Sequence, residues 1–326
     1  MLAPELMVLE FPDETLADCS NCVMVERPNA LDPGSKRYFR EDIRCCSYHP
    51  RLPNFLVGKA LLEGGDGRRQ MEARIRLRSG VTAMGVKAPE AWQKDYDSRK
   101  HEFGREIKLR CPYWVGGEFA CSIWKSRNSV CRTWHCKHVD GHNGLRLWEG
   151  TKMLLAEIEN RLALHCCKRG KVPKGKLPVE AWLAWFEWCA RKVGTMTPQE
   201  IERERGDKID PLRGQLRSYH SGLERPIPNV LGAAVQHFER LDGATRLVGY
   251  SFRDDLIGGP DVFALLSKLD GKRPWREALA EAEAELGAPI GEEVVRNLWR
   301  MGMLKPHDAT EQWRPHKPVT GVPETG

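Results

Sequence analysis

The cysteines of this chain are concentrated in its first 140 residues, where eight of the 11 lie in pairs or short groups. A Cys-x-x-Cys unit places two sulfur atoms at neighbouring positions around a metal ion or cluster, and two such units complete a four-thiolate site. Cys19 and Cys22 form one half-site, and the adjacent Cys45 and Cys46 can ligate from a turn. The third group contains Cys111, Cys121, Cys131 and Cys136. This spacing predicts that thiolates distant in sequence converge on bound metal.

The composition favours metal ligation over disulfide bonds. Cysteine accounts for 11 of 326 residues, whereas a disulfide scaffold typically has ~8–10%. No stretch approaches the ~20 apolar residues of a membrane span, and residues 1–11 lack the basic start of a secretory signal. We therefore expect a cytoplasmic protein whose clustered thiols are reduced and bind metal. The alternative is that they are free, buried residues without a ligand.

Residues 131–142 allow two sets of ligands. In an irregular backbone Cys131 and Cys136 can both ligate, which is the preferred interpretation. On a regular helix they would lie about 140° apart, and Cys131, His135, His138 and His142 would instead share one face. Thiolate and imidazole both bind zinc or iron. Gly141 and Gly144 argue against a helix that reaches His142, and whether His135 or His138 is a ligand stays open.

Over about residues 17–140 the chain resembles the cysteine-cluster family of zinc- or iron-chelating proteins (the YkgJ type). The matching positions are Cys19, Cys22, Cys45, Cys46, Cys111-Pro112, Cys121 with Ile123, Arg127, Cys131-Arg132 and Cys136. The chain departs from the family in the 22 residues between Cys22 and Cys45, and in Asn128, where proline is usual. The resemblance implies metal binding, with an iron–sulfur cluster favoured over zinc. It implies no single reaction, because the family includes group-transferring members such as flagellin lysine methylases.

Residues 243–305 have the pattern of a small separate module. A strand is predicted over 245–252, followed by three helices. In the first helix Val262, Leu265, Leu266 and Leu269 share a face; the second covers about 274–286, and the third lies around 294–298. The segments 265–273 and 298–306 resemble the small winged-helix domains of the PqqD type. Such domains bind peptides by adding a strand to a sheet edge, which implies a peptide or protein partner. A folding appendage without a ligand is the alternative.

The other helices are predicted from apolar periodicity. Residues 151–167 form one amphipathic helix, and Trp182, Trp185, Phe186 and Cys189 recur at i, i+3, i+4 and i+7, as in a core-packing helix. Cys166 and Cys167 are interpreted as core or incidental thiols. The predicted fold is mainly α, with an irregular cysteine-rich metal-binding core, small α+β elements and a C-terminal winged-helix-like domain. The predicted domains are residues 1–225 (with a helical extension over 151–193) and 226–306, followed by a disordered tail over 307–326.

These features suggest a metal-cluster protein, redox or modifying, that acts on a peptide or protein partner presented by the C-terminal module. The alternative is a non-enzymatic, zinc-stabilised interaction or regulatory protein. Nucleic-acid binding is disfavoured because the net charge is only +6 and the basic residues are scattered rather than gathered in a stripe. A metal- or redox-sensing DNA binder is the third hypothesis. The sequence does not distinguish one metal site from two, and it identifies neither a catalytic residue nor an oligomeric state.

Overall fold

The computed structural model describes residues 9–14, 21–26, 38–116, 121–174, 177–204, 206–235, 237–248 and 256–306. The chain divides into two compact units. The first unit comprises residues 1–9, 17–134 and 149–216, and the second comprises residues 10–16, 135–148 and 217–326. These units alternate along the chain, whereas the predicted domains were contiguous. The predicted tail over 307–326 lies outside the described residues.

More than half of the described residues lie in helices. The helices that lie wholly or partly in the first unit are α1 (Asn54–Glu63), α2 (Gly65–Arg76), α3 (Glu90–Arg99), α4 (Ser129–Arg132), α5 (Gly141–Arg169), α6 (Val179–Gly194), α7 (Pro198–Arg203) and α8 (Ile209–Ser221). The strands β1 (Leu52–Pro53), β2 (Val81–Thr82) and β3 (Gly85–Val86) form an antiparallel sheet in the order β1-β3-β2, with Leu52 opposite Val86. The prediction of a mainly helical fold with small strands is confirmed.

The core of the first unit is built where α1 packs against α6. The apolar stripe of α6 is buried as predicted, and Phe186 and Cys189 are fully enclosed. Gly58 of α1 lies directly against α6, and a Cβ atom at this position would stand 1.8 Å from the backbone oxygen of Phe186. Asn54, the first residue of α1, donates hydrogen bonds to the carbonyl oxygens of Ala83 at 3.0 Å and Ala163 at 3.1 Å. The start of α1 is thereby tied to two other segments of the same unit.

Three helical segments differ from the expectations. Helix α2 begins directly after Gly64, although the glycines over 64–67 predict a break in the chain and residues 70–110 are poorly periodic. Residues 195–225, whose polar sequence predicts a loop and one short helix, contain both α7 and α8. Helix α5 begins at Gly141, so the two glycines do not exclude helix there. Its first turn is stabilised by residues far along the chain, because His142 N donates to Met301 O at 2.9 Å and Arg300 Nε contacts the buried Asp140 carboxylate at 2.5 Å.

The second unit contains a module of three helices and two small sheets. Its helices are α9 (Pro260–Lys268), α10 (Trp275–Leu286) and α11 (Glu292–Arg300). The strands β4 (Val230–Ala233), β5 (His237–Leu241), β6 (Ala244–Val248), β7 (Leu256–Gly258), β8 (Asp270–Pro274) and β9 (Leu304–Pro306) form sheets in the orders β8-β4-β9 and β5-β6-β7. The three predicted helices are all observed, and α10 ends at Gly287 in the left-handed region (φ 70°). Their assignment to a winged helix stays a prediction.

The long helices of this chain are amphipathic or carry many charges. Among the described residues, none has the length and the uninterrupted apolar character needed to cross a bilayer.

Candidate functional site

Six of the eight predicted cysteine ligands lie on linked segments of the first unit. Backbone hydrogen bonds join these segments, because Phe39 N donates to Met24 O at 2.8 Å and Cys111 N donates to Cys46 O at 2.7 Å. Trp114 and Cys121 form an isolated antiparallel bridge. Cys131, which lies in α4, belongs to the same unit. We call the set the thiol cluster; it comprises Cys22, Cys45, Cys46, Cys111, Cys121 and Cys131.

Electrostatic coupling shows that these sulfur atoms are neighbours. A hydrogen bond with Cys46 raises the pKa of the Cys45 thiol well above its ordinary value, and the nearby Cys22 adds to that rise. Burial raises the pKa of Cys111, with further contributions from Cys131, Cys121 and Cys45. Because like charges affect each other's ionisation only at short range, thiols up to 109 residues apart in sequence (22 to 131) are gathered in one region.

The gathered thiols are not arranged around a common point. Among the described residues, no three His, Cys, Asp or Glu side chains are placed so that they could hold one ion. The thiol cluster is therefore a set of neighbouring donors rather than an assembled coordination sphere. Cys19 lies outside the described residues.

Helix α4 positions Cys131 although it is only four residues long. Asn128 caps it, since its side-chain oxygen accepts a hydrogen bond from Cys131 N at 3.2 Å. Glu159 of α5 accepts two further hydrogen bonds, from Ser129 N at 2.7 Å and from Ser129 Oγ at 3.0 Å. Asn and a carboxylate both stabilise a helix start, because the first backbone N–H groups have no partner within the helix. The position of Cys131 thus depends on a side chain from another helix.

Glu159 should make the stability of the protein depend on pH. Burial raises its pKa from 4.5 to about 7. Because the folded protein keeps this proton at a higher pH than the unfolded chain does, the stabilisation is complete below about pH 4.5 and is lost as the pH rises through 7. We expect the free energy of unfolding of the metal-free protein to fall by up to about 3 kcal/mol from pH 5 to pH 8 through this group.

Urea unfolding at several pH values measures this effect. Glu159→Gln should remove it and so flatten the profile relative to the wild type. Glu157→Gln, on the same helix and paired with Arg161 at 2.7 Å, should leave the profile unchanged. Parallel profiles for the wild type and Glu159→Gln would show that this carboxyl group does not ionise between those pH values.

Cys136 lies in the second unit together with the histidines that follow the thiol cluster in sequence. The rings of His135 and His138 have centroids 6.1 Å apart, and His135 also contacts Trp148 with centroids 4.3 Å apart. Burial and, to a smaller extent, the neighbouring His135 lower the pKa of His138 to about 4. The alternative in which Cys131 and these histidines share one face of a regular helix is wrong, because α4 ends at Arg132 and α5 begins only at Gly141.

The three remaining cysteines belong to the core of the first unit. Cys166 and Cys189 are fully buried where α5 meets α6. Cys167 Sγ lies 3.5 Å from Ala83 O and 3.6 Å from Met84 Sδ. These contacts agree with the interpretation of Cys166 and Cys167 as core thiols.

Two residues that contact this region were not identified as functional from the sequence. Arg44 has its guanidinium Cζ 5.5 Å from the centroid of the Trp114 ring, and Glu159 holds the start of α4. No motif marks either of them, since an arginine beside Cys45 and a glutamate in a long helix are common. Comparison of the chain with models of protein families, with curated proteins and with solved structures found no match.

Proposed function

We propose that the chain is a metal-binding protein whose thiol cluster holds an iron–sulfur cluster, with zinc as the alternative. The observation that supports this most strongly is the gathering of six cysteines from separate segments in one unit. Neighbouring buried thiols do not ionise readily, because their negative charges would repel one another away from water. A bound cation removes this penalty and stabilises the thiolates. The proposal is therefore that a bound metal stabilises these sulfur atoms as thiolates.

The donor set fits such a group. Thiolates are soft ligands that suit zinc and iron–sulfur clusters rather than magnesium or calcium. Burial, together with the nearby Cys121 and Cys45, raises the pKa of Cys131 to about 12, although the guanidinium of Arg127 opposes this rise. Arg127 lies over the exposed Trp124 at 3.5 Å from the ring centroid, so a cation is present beside a predicted ligand. A bound iron–sulfur cluster would supply electron transfer, and zinc would supply a structural crosslink or a Lewis acid.

The second part of the proposal is that the module over residues 243–305 binds a peptide or protein partner. Its three-stranded sheet β5-β6-β7 has outer edges at β5 and β7, and the exposed Ile257 lies on β7. Peptides can join a sheet at such an edge through backbone hydrogen bonds. In this proposal the partner is the substrate on which the metal centre acts, or a regulator of it.

Anaerobic purification followed by metal and sulfide analysis tests the proposal. We expect a brown protein that contains iron and acid-labile sulfide and absorbs visible light. A colourless protein with stoichiometric zinc would favour a zinc-stabilised interaction protein instead. A protein with neither metal would contradict both forms of the proposal.

A further inference from the structure

Arg44 lies in a turn that places a cation beside the thiol cluster. The turn over residues 41–47 is held by hydrogen bonds from Arg44 N to Arg40 O at 2.7 Å and from Cys46 N to Ile43 O at 3.1 Å. Ser47 accepts a hydrogen bond from Gly104 N at 2.8 Å. The backbone around Arg44 is therefore fixed by neighbours on both sides.

The backbone conformation of Arg44 is unusual. Its φ of 56° lies in the left-handed region, which an L-residue with a Cβ atom adopts only at a cost. Residues held in such conformations are concentrated at functional sites, where the surrounding structure maintains the strain. Glycine at this position would avoid the strain but would place no cation there.

The charge of Arg44 is not neutralised by the described residues. Its Nε and Nη1 atoms are buried and donate no hydrogen bond. Asp42, in the same turn, pairs instead with Arg40, whose Nη2 lies 2.8 Å from Asp42 Oδ2. The contact that Arg44 does make is with the face of Trp114. Two N–H donors of a half-buried guanidinium that are shielded from water without an acceptor are unfavourable unless an anion accompanies them.

The geometry points to an oxyanion-binding position at Arg44, which takes a carboxylate or phosphate group of a ligand beside the thiol cluster. Guanidinium groups bind both oxyanions through several N–H donors at once. Trp114 supports the guanidinium from one side, and its own position is set by Cys111 O, which accepts from Trp114 N at 3.0 Å. The segment around Arg44 and the segment around Trp114 thus carry both predicted metal ligands and the proposed anion site. The oxyanion site at Arg44 is tested separately from the proposed metal centre.

Calorimetric titration of the full chain tests this inference, with inorganic phosphate in one arm and succinate in the other, at constant ionic strength set with chloride. We expect saturable binding of at least one of them, and at least about tenfold weaker binding to Arg44→Met. Arg40→Met is the matched control, because Arg40 is in the same turn but is exposed and paired with Asp42. It should bind like the wild type. Binding that is equal in all three proteins, or absent from the wild type, would overturn the inference.

Thermal unfolding in chloride buffer provides the second measurement. Because Arg44 carries an uncompensated charge there, Arg44→Met should unfold at the same temperature as the wild type or higher, and only the wild type should gain stability from phosphate or succinate. A strongly destabilised Arg44→Met would contradict the inference, since it would mean that the protein already compensates this charge. The titration is repeated on protein with and without its metal. Binding confined to the metal-free form would assign the charge of Arg44 to the metal centre and overturn the oxyanion site. A chain without metal that still binds through Arg44 would refute the proposed function alone.

Discussion

Replacing Cys131 with serine is expected to lower the affinity of the proposed site for its metal by more than about 100-fold. Residues that only orient a ligand typically change metal affinity 10–100-fold, and a direct ligand should contribute more. Cys131 is coupled to Cys121 and Cys45 and is positioned by the cap of α4, so its loss should affect the whole thiol cluster. Metal and sulfide analysis of the anaerobically purified variant measures the effect.

Cys167→Ser is the matched control for this substitution. Cys167 belongs to the same unit and is partly buried, but its sulfur contacts Ala83 and Met84 rather than the thiol cluster. Its replacement should leave the metal content unchanged. Equal metal content in Cys131→Ser and the wild type would exclude Cys131 as a ligand, provided that both proteins show the same helical content by circular dichroism.

Replacing Gly58 with alanine is expected to lower the free energy of unfolding by about 3 kcal/mol or more. The added Cβ atom would stand 1.8 Å from Phe186 O and 2.9 Å from the Cβ atom of Ala190. Because these are atoms of a buried helix rather than the end of a flexible side chain, α1 and α6 would have to separate. Chemical denaturation of the metal-free protein measures the loss.

Gly214→Ala is the control, since Gly214 lies inside α8 and a Cβ atom there would meet nothing within 4 Å. Alanine has the higher helix propensity, so this variant should gain roughly 0.5–1 kcal/mol. If Gly58→Ala behaved in the same way as Gly214→Ala, the close contact between α1 and α6 would be wrong.

Much of the local structure could be predicted from residue patterns. The stripe of Trp182, Trp185, Phe186 and Cys189 predicted a buried helical face, and Gly287 marked the end of α10. The start of α5 was missed, because two glycines argue against helix in isolation. Residues 300–301 stabilise that helix turn through contacts about 160 positions along the chain, and no local pattern contains such a contact.

The candidate site likewise has features that residue patterns predict and features that depend on the tertiary structure. The grouping of cysteines in the sequence predicts which thiols are candidate metal ligands, because ligand chemistry depends on residue type and close spacing, and that assignment stays a prediction. Their gathering, the placement of Cys136 in the other unit and the unneutralised charge of Arg44 depend on the tertiary structure.

The sequence by itself determined the helical character of this chain and the identity of its metal-binding candidates. Both follow from interactions between residues a few positions apart, namely helical periodicity and the side-chain chemistry of cysteine. Only the tertiary structure decided that Cys22, Cys46, Cys111 and Cys131 lie in one region, and that α1 can approach α6 only through a glycine. The physical reason is that such proximity depends on how whole helices and turns pack, which is a property of many distant residues together.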